Sequence, residues 1–124
     1  MKPEKIFQLG SVLASLSIVA GAFGAHALKD KVTPEQLVTF EIGVRYQMYH
    51  ALGLLAIAAW FGHSGKIAPR VALLCLLIGT CIFSGTLYGI VAGGPKWLGA
   101  ITPIGGTLQI IGWMILAFQS NPAD

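Results

Sequence analysis

Charged side chains are scarce in this 124-residue chain: they make up 10% of it, where a soluble domain carries roughly 25%. That shortage removes the usual means of keeping a surface in water. A hydrophobic share of 55% and a mean hydropathy of +0.73 point the same way. Cysteine is nearly absent, with only Cys75 and Cys81. On one helix these two are separated by a rise of about 9 Å and point in different directions, so they cannot pair with each other. A disulfide framework and a cysteine zinc site are thereby excluded. Basic clusters are missing despite a pI near 9.1, which excludes nucleic acid as a partner. There is no phosphate-binding glycine loop, no H-E-x-x-H, no G-x-S-x-G and no pair of intramembrane carboxylates. No catalytic residue, metal site or cofactor is nominated, and the expectation is a protein that is not an enzyme.

What is present is long and apolar. All charges fall in residues 1–5, 29–45 and 66–70, at Lys96 and at Asp124. The stretches 6–28, 46–65, 71–95 and 97–123 contain no Asp, Glu, Lys or Arg. A helix needs roughly 20 mainly apolar residues to cross about 30 Å of hydrocarbon, and each stretch is long enough. A soluble bundle would interrupt them with charges every few residues on its wet face. The fold class expected is all-α: a single-domain integral membrane bundle of four transmembrane helices, spanning about 6–28, 40–61, 71–92 and 100–118. The rival for the first stretch is a signal peptide, with Lys2 and Lys5 as a basic start and Ala25-His26-Ala27 as a cleavage site. Its apolar run is much longer than the 7–15 residues usual for such a segment, so a retained span is preferred.

Small residues mark the expected packing faces. Gly10, Ala14, Ser17, Gly21 and Gly24 form one stripe on the first helix, and Gly85, Gly89 and Gly93 repeat every fourth residue on the third. Such stripes let backbones approach closely in lipid. Thr33-Pro34-Glu35-Gln36 reads as an N-cap, a first-turn proline and a capping-box glutamine. A helix therefore begins near Pro34, and two forms are open: it lies along the interface before span two, or it runs unbroken to Phe61. Gly62-His63-Ser64-Gly65 reads as a short turn. Thr102-Pro103 followed by Gly105-Gly106 should kink or unwind the fourth span near its start.

An even number of spans puts both termini on one side, with Lys2, Lys5, Lys66 and Arg70 there and Lys29, Lys31, Arg45 and Lys96 opposite. If Arg45 is withdrawn into the bundle by pairing with Glu41, the balance leans toward cytoplasmic termini.

Polar groups inside membrane spans are costly and are functional suspects by default. His26, Glu41, Arg45 and His50 qualify. Tyr46, Gln47, Tyr49, Ser84, Tyr88, Thr102 and Gln109 are placed to complete a polar cluster between helices. Glu41 and Arg45 have the favoured spacing and order for a helix ion pair. Three readings compete. In the first, the cluster is a satisfied network that fixes the register of the bundle. In the second, it is a pathway for a proton, ion or small solute, using His26 and His50. In the third, the two histidines ligate a haem or metal, or the module binds a quinone.

Four motifs carry a resemblance: Gly21-Ala22-Phe23-Gly24-Ala25-His26-Ala27-Leu28, Tyr46-Gln47-Met48-Tyr49-His50-Ala51-Leu52-Gly53, Phe83-Ser84-Gly85-Thr86-Leu87-Tyr88, and residues 98–106 from Leu98 to Gly106. In this order they resemble the domain-of-unknown-function 423 family, also called uncharacterised protein family 0382. The resemblance covers nearly the whole chain and implies a bacterial inner-membrane protein with four spans. The family has no established activity, so no catalytic role carries over. The motif positions nominate His26, Tyr46, Gln47, Tyr49, His50, Ser84, Tyr88, Thr102 and Pro103 as a shared site. The function expected is a membrane accessory or scaffold protein, with stress response as one setting, whose partners are the lipid bilayer, further copies of itself or other membrane proteins.

Overall fold

The computed structural model describes residues 1–119. Four long helices follow one another in sequence: α1 (Pro3–Phe23), extended by a π-helical turn over Gly24–Leu28, α2 (Pro34–Ser64), α3 (Arg70–Val91) and α4 (Leu98–Phe118). Each packs against the next in antiparallel fashion, α1 on α2, α2 on α3 and α3 on α4. α1 makes no backbone approach to α3 or α4 among the described residues.

Three of the helices, α1 with its π turn, α3 and α4, are long and apolar enough to cross a membrane by themselves. α2 carries its charges in its first half, which lowers its hydropathy. Short connections at residues 29–33 and 65–69 tie its two ends to the neighbouring helices, so it must traverse with them. The outward faces agree with lipid as solvent: Ile18, Val19 and Ile110 are each 65% exposed. The result is an all-α membrane bundle of four helices.

Local chemistry sets the helix ends. Thr33 accepts from the Gln36 N–H at 3.2 Å, and the Gln36 side chain accepts from the Thr33 N–H at 2.9 Å, closing a capping box before Pro34. From there α2 runs 31 residues without a break, about 46 Å at ~1.5 Å per residue. There is accordingly no separate interfacial helix before the second span. Gly62, His63 and Ser64 also stay helical, and Gly65 alone turns the chain, with a left-handed φ of 68°. At the end of α3, Gly93 (φ 94°) donates to the Ile90 carbonyl and Gly94 to the Gly89 carbonyl at 2.8 Å, a Schellman stop.

α4 departs from expectation. The helix is continuous through Pro103 and is neither unwound nor broken. Pro103 lies in the second turn, so the carbonyl that loses its partner is that of Gly99, exposed at the helix start. Thr102 donates to the Leu98 carbonyl at 3.0 Å and Thr107 to the Pro103 carbonyl at 2.8 Å, supporting the ladder on both sides of the ring.

The glycine stripes are only partly packing faces. A Cβ at Gly10 would lie 2.9 Å from the Ala51 carbonyl, and one at Gly24 2.9 Å from the Phe40 ring, so these two let α1 approach α2. Gly21 meets Val44 at an ordinary 3.5 Å. On α3 the expected seam fails. Gly85 faces open space, Gly93 belongs to the turn, and only Gly89 packs, under Leu98. The tight α3–α4 crossing is made by Gly79, Gly105 and Gly112. A Cβ at Gly105 would sit 2.5 Å from the Phe83 nitrogen and 2.7 Å from the Gly79 carbonyl. Gly106 is looser, 3.6 Å from the Phe83 ring.

Packing divides the interior along the membrane normal. Toward the end that holds the α1 start and the α2–α3 connection, Ile6, Leu54, Ile57, Phe61, Leu73 and Leu76 form an apolar core. Toward the other end, the buried side chains include Ser17, Gln47, His50, Thr80, Ser84, Thr102 and Gln109.

Candidate functional site

The polar half of the interior is built by α2, which faces all three other helices. Gln47 and His50 stand one turn apart on its buried side. Gln47 donates through Nε2 to the Leu13 carbonyl of α1 at 3.1 Å, a carbonyl that also accepts from Ser17 at 2.9 Å. Its Oε1 accepts from the Tyr88 hydroxyl of α3 at 2.7 Å. One amide thus joins three helices. Its orientation is fixed by chemistry, because the Leu13 carbonyl can only accept. Ser84, one turn before Tyr88, donates to the Gly43 carbonyl of α2 at 2.7 Å. The Tyr88 ring fills the gap beside Gly43 and packs at 5.0 Å on Phe40.

His50 faces the other way, to α4. Its Nε2 accepts from the Trp113 indole N–H at 3.2 Å, and its Nδ1 lies 2.7 Å from the Tyr46 carbonyl. An indole N–H can only donate and a carbonyl can only accept, so the ring is the neutral tautomer with its proton on Nδ1. Gln109 lies beside it, with Nε2 3.3 Å from Thr80 Oγ1 and 3.5 Å from His50 Nδ1. Since the Nδ1 proton is committed to Tyr46, the Thr80 contact is the effective one. Toward the end of the bundle, Thr86 and Thr102 hydroxyls meet at 2.6 Å between α3 and α4.

Among the described residues no buried side-chain nitrogen or oxygen lacks a hydrogen-bond partner. Each such bond has a net worth of about 1 kcal/mol, while orphaning one partner costs about 1–3 kcal/mol. Losing one partner of such a bond therefore costs more than forming the bond gains. The His50 Nδ1 proton is thus taken by the Tyr46 carbonyl and the ring's one lone pair, on Nε2, by the Trp113 indole. No cluster of three metal-ligating side chains occurs among the described residues.

Of the residues singled out from the sequence, Gln47, His50, Ser84, Tyr88, Thr102 and Gln109 come together inside the bundle. The others do not. His26 lies exposed in the π turn, far in role from His50, and Pro103 is exposed on α4. Glu41 and Arg45 are exposed on α2 and form no ion pair within 4.0 Å. The pairing that would have withdrawn Arg45 from the charge balance is absent, and each side again holds four basic residues. Tyr46 contributes its carbonyl to His50, but its ring points outward and packs on Phe83 at 4.7 Å and Tyr49 at 5.6 Å. Sequence reading missed Thr80, Thr86 and Trp113. The signal was available for two of them: Thr80 precedes Ser84 and Tyr88 at four-residue steps, and Trp113 follows Gln109 by the same step, so each shares a helix face with a nominated residue.

The profile of a family described as a protein of unknown function, DUF423, matches residues 20–106. A UPF0382 membrane protein of Staphylococcus epidermidis is 44% identical over 112 residues, covering 90% of this chain and 91% of that one. The UPF0382 membrane protein YwdK of Bacillus subtilis is 40% identical over 109 residues, covering 87% and 89%. One from Haemophilus influenzae is 36% identical over 117 residues, 94% of each chain. No solved structure matches the chain.

Proposed function

The chain belongs to the DUF423, or UPF0382, family, and from that premise we propose that it is a non-enzymatic accessory or scaffold protein of a bacterial inner membrane, acting through contacts between helices. The observation that carries this reading is the closed state of the interior. Among the described residues no fully buried side-chain nitrogen or oxygen lacks a partner, which favours a sealed interior over one that holds polar groups open for a solute or reactant. A pathway or an active site needs polar groups that are free to exchange partners, and the helix-bridging bonds of Gln47 and His50 hold theirs. The chain's remaining capacity for contact lies on its outer faces. On α3, Cys81 is exposed and Gly85, one turn on, has nothing within 4 Å, a surface on which a second helix can come close.

Two measurements test this together. Vesicles containing the purified protein should hold an imposed pH gradient as well as empty vesicles do. Crosslinking through Cys81 in intact membranes should trap a discrete product that is lost on Gly85→Leu. Dissipation of the gradient by the wild type, abolished by His50→Ala, would replace the scaffold with a proton pathway.

A further inference from the structure

We propose that the groove between α1 and α2 at Glu41 and Arg45 is a binding site for the headgroup of a zwitterionic, primary-ammonium phospholipid. The groove encloses about 270 Å³ and is lined by Gly21, Phe40, Glu41, Val44 and Arg45. It exists because Gly21 carries no side chain where α1 passes Val44, with only ordinary contact at 3.5 Å. Phe40 closes the groove on the inner side, where it is buried against Gly24 and Tyr88. The site is independent of the scaffold reading.

A headgroup is within its reach. The groove lies where Val44 packs on Gly21 and Phe40 on Gly24, about two turns in from the α1 end and from Lys29, Asp30 and Lys31, a distance that the long Arg45 side chain helps to span by extending toward that end. Two charged side chains are exposed there on adjacent turns, and they do not satisfy each other: no ion pair within 4.0 Å forms between them. Opposite charges one turn apart on a helix attract by only about 0.2–0.5 kcal/mol, so each is free to take a better partner. These two stand open along one rim of a cavity.

The order of the charges selects the ligand. α2 enters the membrane from Pro34, so Glu41 is the outer residue and Arg45 lies about 6 Å deeper. In a phospholipid the phosphate is the deeper group and the ammonium the outer one. The guanidinium thus meets phosphate, for which its planar fork of donors is suited. The carboxylate meets the ammonium, whose three N–H donors it can accept. The glycerol of an anionic headgroup offers Glu41 only neutral hydroxyls and no cation, and a quaternary ammonium has no N–H to give it.

The test uses the full-length protein in micelles doped equally with phosphatidylethanolamine, phosphatidylglycerol and phosphatidylcholine, with retained lipid counted by native mass spectrometry. The wild type should retain phosphatidylethanolamine about fivefold over each of the others, which corresponds to about 1 kcal/mol. Glu41→Arg combined with Arg45→Glu keeps both charges and reverses their order, and should abolish the preference. Should that double variant fail to fold, Glu41→Gln should keep lipid bound while losing discrimination between ethanolamine and choline headgroups. Equal retention of the three lipids by the wild type, or an unchanged preference in the folded double variant or in Glu41→Gln, would overturn the proposal. Displacement of the lipid by free phosphoethanolamine at equal concentration would do so too, by assigning the site to a soluble zwitterion.

Discussion

Placing alanine at Gly105 and, separately, at Gly85 sets two opposing effects against each other on helices of the same bundle. Alanine is favoured over glycine within a helix by about 1 kcal/mol, and that gain is common to both sites. At Gly85 nothing lies within 4 Å of the added methyl, so the gain is all that remains and stability should rise by up to ~1 kcal/mol. At Gly105 the methyl would lie 2.5 Å from the Phe83 nitrogen, 2.7 Å from the Gly79 carbonyl oxygen and 2.9 Å from the Phe83 Cα. All three are backbone atoms of α3 and cannot swing aside, so α3 and α4 must separate. Overpacking of this kind costs about 1–3 kcal/mol. Separation also stretches the Gln109–Thr80 and Thr86–Thr102 contacts that span the same seam. The net expectation for Gly105→Ala is a loss of up to ~2 kcal/mol. Reversible unfolding of both variants in mixed micelles, followed by helical circular dichroism, reads the two signs directly. Equal stability changes at the two positions, or a stabilised Gly105→Ala, would refute the close crossing of α3 and α4.

Tyr88→Phe removes the donor that satisfies Gln47 Oε1 and should destabilise by about 1–3 kcal/mol. Adding Gln47→Leu should recover part of that loss, which a double-mutant cycle would detect. Thr33→Ala deletes the capping-box acceptor and should cost about 1 kcal/mol. Amide exchange would show the effect confined to the first turns of α2, and an effect spread through the bundle would contradict the local cap.

The solvent of this fold was legible because charge is an unambiguous reporter of water. Stretches without Asp, Glu, Lys or Arg can be read without knowing which helix touches which. The N-cap at Thr33 was legible for a similar reason, since its two hydrogen bonds lie within four residues. Glycine spacing proved a poorer guide. Gly85, Gly89 and Gly93 keep a strict repeat, yet α3 crosses α4 on the face that carries Gly79. Which face a helix turns inward depends on its neighbours, and that information is not local. The same holds for Glu41 and Arg45, whose spacing favours a pair while the rotation of α2 exposes both along an open groove. Pro103 does not unwind α4 because a proline's effect depends on its place in the helix, and in the second turn it frees one carbonyl near the surface.

Because the order of the helices in space repeats their order along the chain, each newly made helix finds its main partner already in the membrane. α1 and α2 can close as a hairpin before α3 is synthesised, and no earlier contact has to be undone to admit a later one. The exception is the indole of Trp113, which reaches across to His50 and packs on Gly53 of α2. Until α4 is in place, the His50 Nε2 lone pair lacks the donor that fills it in the finished bundle, so the last helix closes the one bond that α2 cannot make with its neighbours along the chain.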